Sequence, residues 1–413
     1  MEVHIVYNPI AGSGKATSVL EDQVRPRLLS WLSEHVSNVE VNCHETSDVE
    51  SARKIGNQLG SRHASLLTLV IIGGDGTIHE IIDGLVAAER FDAACPKHEV
   101  HLVIVPTGTA NALFHSLFGP GIGANGLTEA DRLLSLESLV RGGSPDLLRP
   151  LTLLGVQHSY EPDAPIKHGL VVSSHALHAA IVRDSESLRA ELPDIERFKV
   201  AAERNGHCWW NATVRLEGNV KRYEPKSQSF VPVRDIPGYN PTEDGSLTLD
   251  GPFIYFNAMV IDRLERNFVP ATFASNCQDD VMRSHNEIDF VVIRPLRSRV
   301  VREALELKKP VEEVRATFAH DVLMPTLLVS MYNEGVHVGK VYMGPDGNPE
   351  KRDGWDVPIV EYFRAQSYEW TAHDDQSRTS CVDGSIIDSQ TTRGYVSDAV
   401  GVFAWTNSAK CHQ

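Results

Sequence analysis

Three times within about the first 115 residues, the chain passes from an apolar run through glycines into a helix-like pattern. This repetition limits the possible folds more than any other feature. The units are MEVHIVYNPIAGSGKA from Met1, LLTLVIIGGDGTIHEIIDGL from Leu66, and HLVIVPTGTANALF from His101. LLTLVII lacks alternation, as expected of a strand buried on both faces of a parallel sheet. After it, Ile78, Ile81, Ile82, Leu85 and Val86 fall on one helical stripe. Three strand-loop-helix units predict a doubly wound sheet with three loops converging on one crevice, a nucleotide-binding layout.

The middle loop poses a chemical question, because it sets one carboxylate, Asp75, among Gly73, Gly74 and Gly76. Thr77 followed by Glu80 is a capping-box pattern, which predicts Thr77 as N-cap and first-turn N–H groups aimed into the loop. Such a terminus attracts anions, and the glycines let a phosphate come close. An acid in a phosphate site is repulsive unless it has a task. For a lone loop of this kind, the ordinary reading is a tight turn whose Asp caps a nearby N–H. Two common fingerprints fail: Pro9 and Ala16 break the Walker A spacing, and His79 stands where G-x-G-x-x-G needs glycine.

NPIAGSGKA at 8–16, GGDGTIHE at 73–80 and PTGTAN at 106–111 resemble, in order and spacing, the three nucleotide loops of the diacylglycerol kinase catalytic-domain superfamily, which includes the sphingosine kinases. The resemblance implies ATP and Mg²⁺ as cofactors, a lipid alcohol as acceptor, and Asp75 as the base beside the acceptor hydroxyl. It implies nucleotide contacts from Asn8, Gly12, Gly14, Thr46, Gly73, Gly74, Gly76, Thr77, Glu80, Thr107, Gly108 and Thr109. CVDGS at 381–385 resembles the family's V-D-G-E element, placing Asp383 near Asp75 and Gly384 near the nucleotide, with Ser385 in place of glutamate. DSESLRAELPDIERFKVAAE at 184–203 resembles the segment that supplies two phosphate-binding arginines, here Arg189 and Arg197. Just upstream, Ala180 and Val182 occupy positions where sphingosine kinases hold the substrate ammonium with acids, which leaves Asp184 as the candidate substrate carboxylate.

Plainer readings stand beside these. Asp383-Gly384 is also a hairpin-turn dipeptide, Glu80 could serve only the capping box, and Thr109 could be an N-cap. Arg189 lies three residues after Glu186, an ion-pair spacing. His79 and His115 read as surface or helix-packing residues, since no second ligand stands at metal spacing. The leading function is an ATP-dependent lipid kinase acting on a sphingoid base, with diacylglycerol or ceramide as alternative acceptors. An NAD kinase is a second reading, opposed by Ala112 after PTGTAN where those enzymes carry an acid. A catalytically weak nucleotide- or lipid-binding relative is a third, prompted by Ser385.

A chain of 413 residues exceeds one ordinary core. The expected division is an α/β nucleotide domain at 1–146, a β-rich lipid-substrate domain at 147–390, and a tail at 391–413 returning to the first domain. WWNATVRLEG, GPFIYFNAMVI, EIDFVVIRP, PTLLVSMYNEGVHVGKVYM and VPIVEYFRAQSYEWTA predict short strands of a β-sandwich. The polar stretch 219–251 reads as a mobile insertion. A net charge of −16 excludes a nucleic-acid partner and limits membrane contact to a local, transient, peripheral one. The sequence shows no 18-residue apolar run and no signal peptide. The six cysteines (43, 95, 208, 277, 381, 411) lack pair spacing, which argues against zinc or a disulfide framework and for a cytoplasmic location.

Overall fold

The computed structural model describes residues 2–35, 40–48, 50–62, 66–88, 99–119, 121–123, 126–141, 144–159, 164–189, 191–192, 196–274 and 286–407. LLTLVII becomes the strand Leu66–Gly73, buried from Leu67 onward. It runs parallel to Glu2–Tyr7 on one side and Glu99–Pro106 on the other, and Glu40–Glu45 lies beyond Glu2–Tyr7. The chain moves outward from the first strand to the second, then crosses back to the third. The connections therefore leave Glu2–Tyr7 and Leu66–Gly73 in opposite directions, the switch point where such sheets hold ligands.

Helices cover both faces, as the doubly wound reading requires. On one face, Ile55 and Leu59 of Ser51–Gly60 and Ile78, Ile81 and Ile82 of Asp75–Val86 pack with Leu69 and Ile71. On the other, Leu28 and Leu32 of Arg25–His35 and Leu136 and Leu139 of Leu134–Val140 pack with Val3, Ile5, Val70 and Ile72. Alternate strand residues thus meet helical stripes on opposite sides, and each fully buried aliphatic side chain contributes about 1.5–3 kcal/mol.

The remainder is a two-layer β structure. The long strand Thr391–Trp405 joins it to the α/β part. Its end pairs parallel with Glu99–Pro106, and it also pairs antiparallel with Leu148–Gln157 and Ser367–Ala372. The first sheet therefore continues from the parallel strands into the β region, with ten strands among the described residues. An eight-stranded antiparallel sheet faces it, and His175 of that sheet stacks on Trp370 of the first, with ring centroids 4.4 Å apart. The expected α/β plus β-sandwich-like architecture is present.

Two segments differ from the sequence reading. Residues 219–251 form Lys221–Glu224, Ser229–Pro232 and Leu247–Asp250, paired into the sheets. Buried Val220, Val233, Ile236, Leu247 and Leu249 hold them. The polarity misleads because Arg222 and Glu224 neutralise each other in the interior at 2.8 Å, and buried Tyr239 donates to Glu361 at 2.5 Å. PTLLVSMYNEG is likewise not a strand. It continues a helical run that begins at Val311 and reaches Ser330 through two π-turns. Thr326 Oγ1 donates to the Val322 carbonyl there, and Ser330 Oγ to that of Pro325. Cys43, Cys208 and Cys381 are free thiols, whereas Cys95, Cys277 and Cys411 lie outside the described residues.

Candidate active site

The three glycine loops meet at the carboxyl ends of their strands. A Cβ on Gly12, which has φ +54°, would overlap the Thr107 carbonyl oxygen, and one on Gly74 would stand 3.0 Å from Gly108 Cα. Asn8 ties the first loop to the second, donating from Nδ2 to Thr77 Oγ1 at 3.1 Å while its Oδ1 accepts the Ile10 N–H. Thr107 N–H donates to the Gly73 carbonyl at 2.9 Å, and Thr46 N–H to that of Tyr7 at 3.0 Å. The loops are therefore mutually braced.

The expected capping box is absent. The helix begins at Asp75, with Gly74 as N-cap and no side-chain cap, so Thr77 lies inside the first turn and its hydroxyl serves Asn8. Thr109 does not cap either; Asn111, with φ +50°, precedes the helix Ala112–Phe118. Asp75 replaces both devices. Its Oδ2 accepts the Ala112 N–H at 2.9 Å and its Oδ1 the Leu113 N–H at 3.0 Å. These bonds stabilise the charged form, but burial outweighs them and pushes the Asp75 pKa above the ordinary carboxylate value, with the Asp383 charge adding to the rise.

Asp383 and Gly384 form the two-residue turn between Thr379–Val382 and Ser385–Asp388, both at positive φ. The turn reading of this dipeptide is thus observed, and its carboxylate does more. It accepts N–H groups from Leu170 (2.6 Å), Val171 (3.1 Å) and Val172 (2.7 Å). Burial raises its pKa against the opposing pull of His79 and these amides. His79 connects this turn to the nucleotide-loop helix: Nε2 and Ser385 Oγ are hydrogen bonded at 2.8 Å, and Nδ1 lies 3.9 Å from Asp383 Oδ2. The ring is buried, and desolvation lowers its pKa despite Asp383. His79 is therefore no surface residue, and the unusual Ser385 has a specific partner.

The sequence reading missed Asp83. Buried on the same helix, it accepts from Arg53 Nε, Lys167 Nζ and His168 N–H, each at 3.0 Å. Burial would raise its pKa, but His168 and Lys167 prevail and hold it well below the usual range. It cross-links the loop-2 helix to Ile166–Gly169. The only signal for it was an acid interrupting an apolar helical stripe.

Glu80 is half-buried, and desolvation, reinforced by Glu50, raises its pKa to about 7. An acid whose folded pKa exceeds its unfolded value favours folding while protonated, and the penalty grows as pH climbs from about 4.5 through 7. Glu80→Gln is accordingly expected to raise the thermal midpoint at pH 8 and to leave it nearly unchanged at pH 4.5. Equal midpoints at pH 8 would contradict the assignment.

The remaining candidates lie in or beside the helices Leu177–Ser187 and Glu196–Asn205. Arg189 pairs with Glu186 at 2.7 Å, both side chains more than half exposed, and the Arg197 guanidinium lies 4.7 Å from the Phe198 ring centroid. Neither lines the cavity of 460 Å³ found at the first and third loops. Asp184 accepts from Arg183 Nε at 2.8 Å and Asn205 Nδ2 at 2.7 Å. Its partial burial acts upward, but these donors hold its pKa below the usual value.

Residues 2–142 match the model of the diacylglycerol kinase catalytic domain. This match covers about a third of the chain. Among curated relatives, the chain is 29% identical to human sphingosine kinase 1 over 156 residues, which is 37% of this chain and 36% of that one. It is 28% identical to sphingosine kinase B of Dictyostelium discoideum over 116 residues, 28% of this chain and 14% of the relative. It is 26% identical to the mitochondrial acylglycerol kinase of Xenopus laevis over 114 residues, 28% and 24% of the two chains. The chain thus spans no more than about a third of these relatives' lengths. A crystal structure from Bacillus anthracis str. Sterne, provisionally assigned as a diacylglycerol kinase, matches 98% of this chain and 97% of its own with a TM-score of 0.52 and 13% identity. The fold is therefore shared along almost the whole chain. Among the described residues, no helix is long and apolar enough to cross a membrane.

Proposed function

We propose that this protein is an ATP-dependent lipid kinase. The observation that carries the proposal is the placement of Asp75 at the junction of three braced glycine loops of the catalytic-domain family, beside a turn contributed by the β-rich part. The acceptor hydroxyl oxygen attacks the γ-phosphorus, the bond to the β,γ-bridging oxygen breaks, ADP leaves, and Asp75 takes the hydroxyl proton. Burial raises its pKa, which favours uptake of that proton. Asp383 acts as a positioning residue, because each of its oxygens accepts two backbone amide contacts, whereas each Asp75 oxygen accepts one and keeps a lone pair free.

Among the described residues, no group of three or more His, Cys, Asp or Glu could hold a metal alone. That donor set fits Mg²⁺ carried mainly by phosphate oxygens and water. When bound, the ion neutralises charge on the transferring group.

For the acceptor, a sphingoid ammonium in a partly dry pocket needs a carboxylate partner. Ala180 is buried, Val182 is apolar, and Asp184 already serves Arg183 and Asn205. These observations support a neutral lipid alcohol such as diacylglycerol or ceramide. The relatives named sphingosine kinase support the second reading, a sphingoid base. Exposed Leu328, Val329 and Val336 on the 311–339 segment offer a local apolar contact to a membrane despite the net negative charge.

Labelled ATP offered with diacylglycerol, ceramide, sphingosine and NAD tests the whole reading. Phosphorylated diacylglycerol or ceramide in excess over sphingosine phosphate is the expected result. Preference for sphingosine that survives Asp184→Asn would restore the sphingoid base and place its partner elsewhere. Phosphorylation of NAD alone, or of nothing, would end the lipid-kinase proposal.

A further inference from the structure

The cavity at the first and third loops is not lined by the second loop, Asn8, Thr46 or Glu80. It opens on the other flank of PTGTAN and is completed by residues that the family resemblance did not single out. Lys15 and Arg132 reach it from the first part of the chain, and Arg266 from the β-rich part. Arg266 also donates from Nη1 to the Gly123 carbonyl, which closes the cavity across the two parts of the molecule.

Its charge is unusual for this protein. Three cations face one carboxylate, Glu265, and that acid already accepts the Tyr332 hydroxyl. Lys15 and Arg132 have no ion-pair partner among the described residues. Two polar atoms of lining residues are buried without a partner among the described residues, Thr107 Oγ1 and His115 Nδ1. His115 is 5% exposed and stays neutral, its pKa driven down to about 4 by burial and by the charges of Arg263 and Arg266. A chain with net charge −16 has thus gathered uncompensated positive charge and orphaned hydrogen-bonding groups around one cavity. Three cations around one cavity with little counter-charge suit a ligand rich in acceptor oxygens.

We propose that this cavity binds a phosphate group, gripped by Arg132, Arg266 and Lys15, with Thr107 and His115 supplying neutral hydrogen bonds. The proposal rests on the lipid-kinase reading only for the origin of the phosphate. One source is the nucleotide's terminal phosphates, entering past Gly12 and Thr107. The other is the phosphate monoester of a phosphorylated lipid. In either case these cations, not Arg189 and Arg197, are the phosphate-contacting set.

Calorimetric titration with inorganic pyrophosphate tests the site without any turnover. Arg132→Gln and Arg266→Gln are each expected to weaken binding by at least about tenfold, the loss typical of a charge-assisted hydrogen bond. Arg266→Lys should restore only part of it, because a single ammonium cannot reproduce a fork. Arg132→Gln makes no break across the two parts of the chain, so it decides the matter if Arg266→Gln lowers the thermal midpoint. Parallel titrations identify the source: a matching loss for a non-hydrolysable ATP analogue assigns the nucleotide, and a loss confined to short-chain lysophosphatidic acid assigns the lipid. Either upholds the site. Pyrophosphate that fails to bind the wild-type protein, or binds Arg132→Gln unchanged, overturns it. A protein that phosphorylates lipid yet shows that result refutes this inference alone; one that binds pyrophosphate through Arg132 but transfers no phosphate refutes the kinase reading alone.

Discussion

Asp75→Asn is expected to cut phosphoryl transfer by about 10²–10⁴-fold, the contribution of a well-placed general base, while ATP stays bound. The substitution keeps shape and removes the proton acceptor. It also has a structural cost. The aspartate accepts two N–H groups, from Ala112 and Leu113, whereas an asparagine offers one oxygen and turns an NH₂ toward the other amide. Leaving that buried donor unsatisfied costs about 1–3 kcal/mol, so the thermal midpoint should fall by several degrees. Single-turnover transfer and titration with a non-hydrolysable ATP analogue, both run well below the variant's midpoint, separate the two effects. Transfer at the wild-type rate would confine Asp75 to its role as a distant helix cap.

That double role shows where sequence reading succeeds and where it stops. The parallel strands and their glycine breaks were legible because each is written in a few consecutive residues: an apolar run, a turn residue, a helical stripe. The bonds from Asp75 to Ala112 and from His79 to Ser385 join segments 37 and 306 residues apart. No local pattern encodes such partners. In the capping-box case the local pattern was satisfied but overruled, since two backbone amides on the next loop's helix gave Asp75 a better use and Thr77 was left to Asn8. The stretch 219–251 hid its strands because Arg222, Glu224 and Tyr239 neutralise one another inside the sandwich, which erases the alternation of polarity. The run through Val322, Thr326 and Val329 hid its helix because β-branched residues carry weak helical preference, and here they prolong a helix already started upstream.

The glycines permit a sharper separation of structural and ligand-facing roles. Gly12 holds φ +54°, and a Cβ added there would overlap the Thr107 carbonyl oxygen. Gly12→Ala therefore combines a left-handed residue, costing roughly 1–2 kcal/mol, with an overpacked contact, costing about 1–3 kcal/mol. It is expected to lower the thermal midpoint and, by spreading the first and third loops, to weaken binding of an ATP analogue. Gly76 is the opposite case. It lies in the first turn of Asp75–Val86, is exposed, and has no atom within 4 Å of an added Cβ. Alanine there removes unfolded-chain freedom and favours the helix by roughly 0.5–1 kcal/mol, so the midpoint should hold or rise. If phosphate approaches that bare backbone, the added methyl group occupies its space, and affinity for the ATP analogue should fall although the protein is no less stable. Aspartate at the same position adds negative charge and should weaken binding further. Thermal unfolding and calorimetric titration of the three variants settle the matter. Wild-type affinity in Gly76→Ala would show that the nucleotide does not lie over the first turn of this helix, and would move the phosphate track toward the flank lined by Thr107 and Arg266.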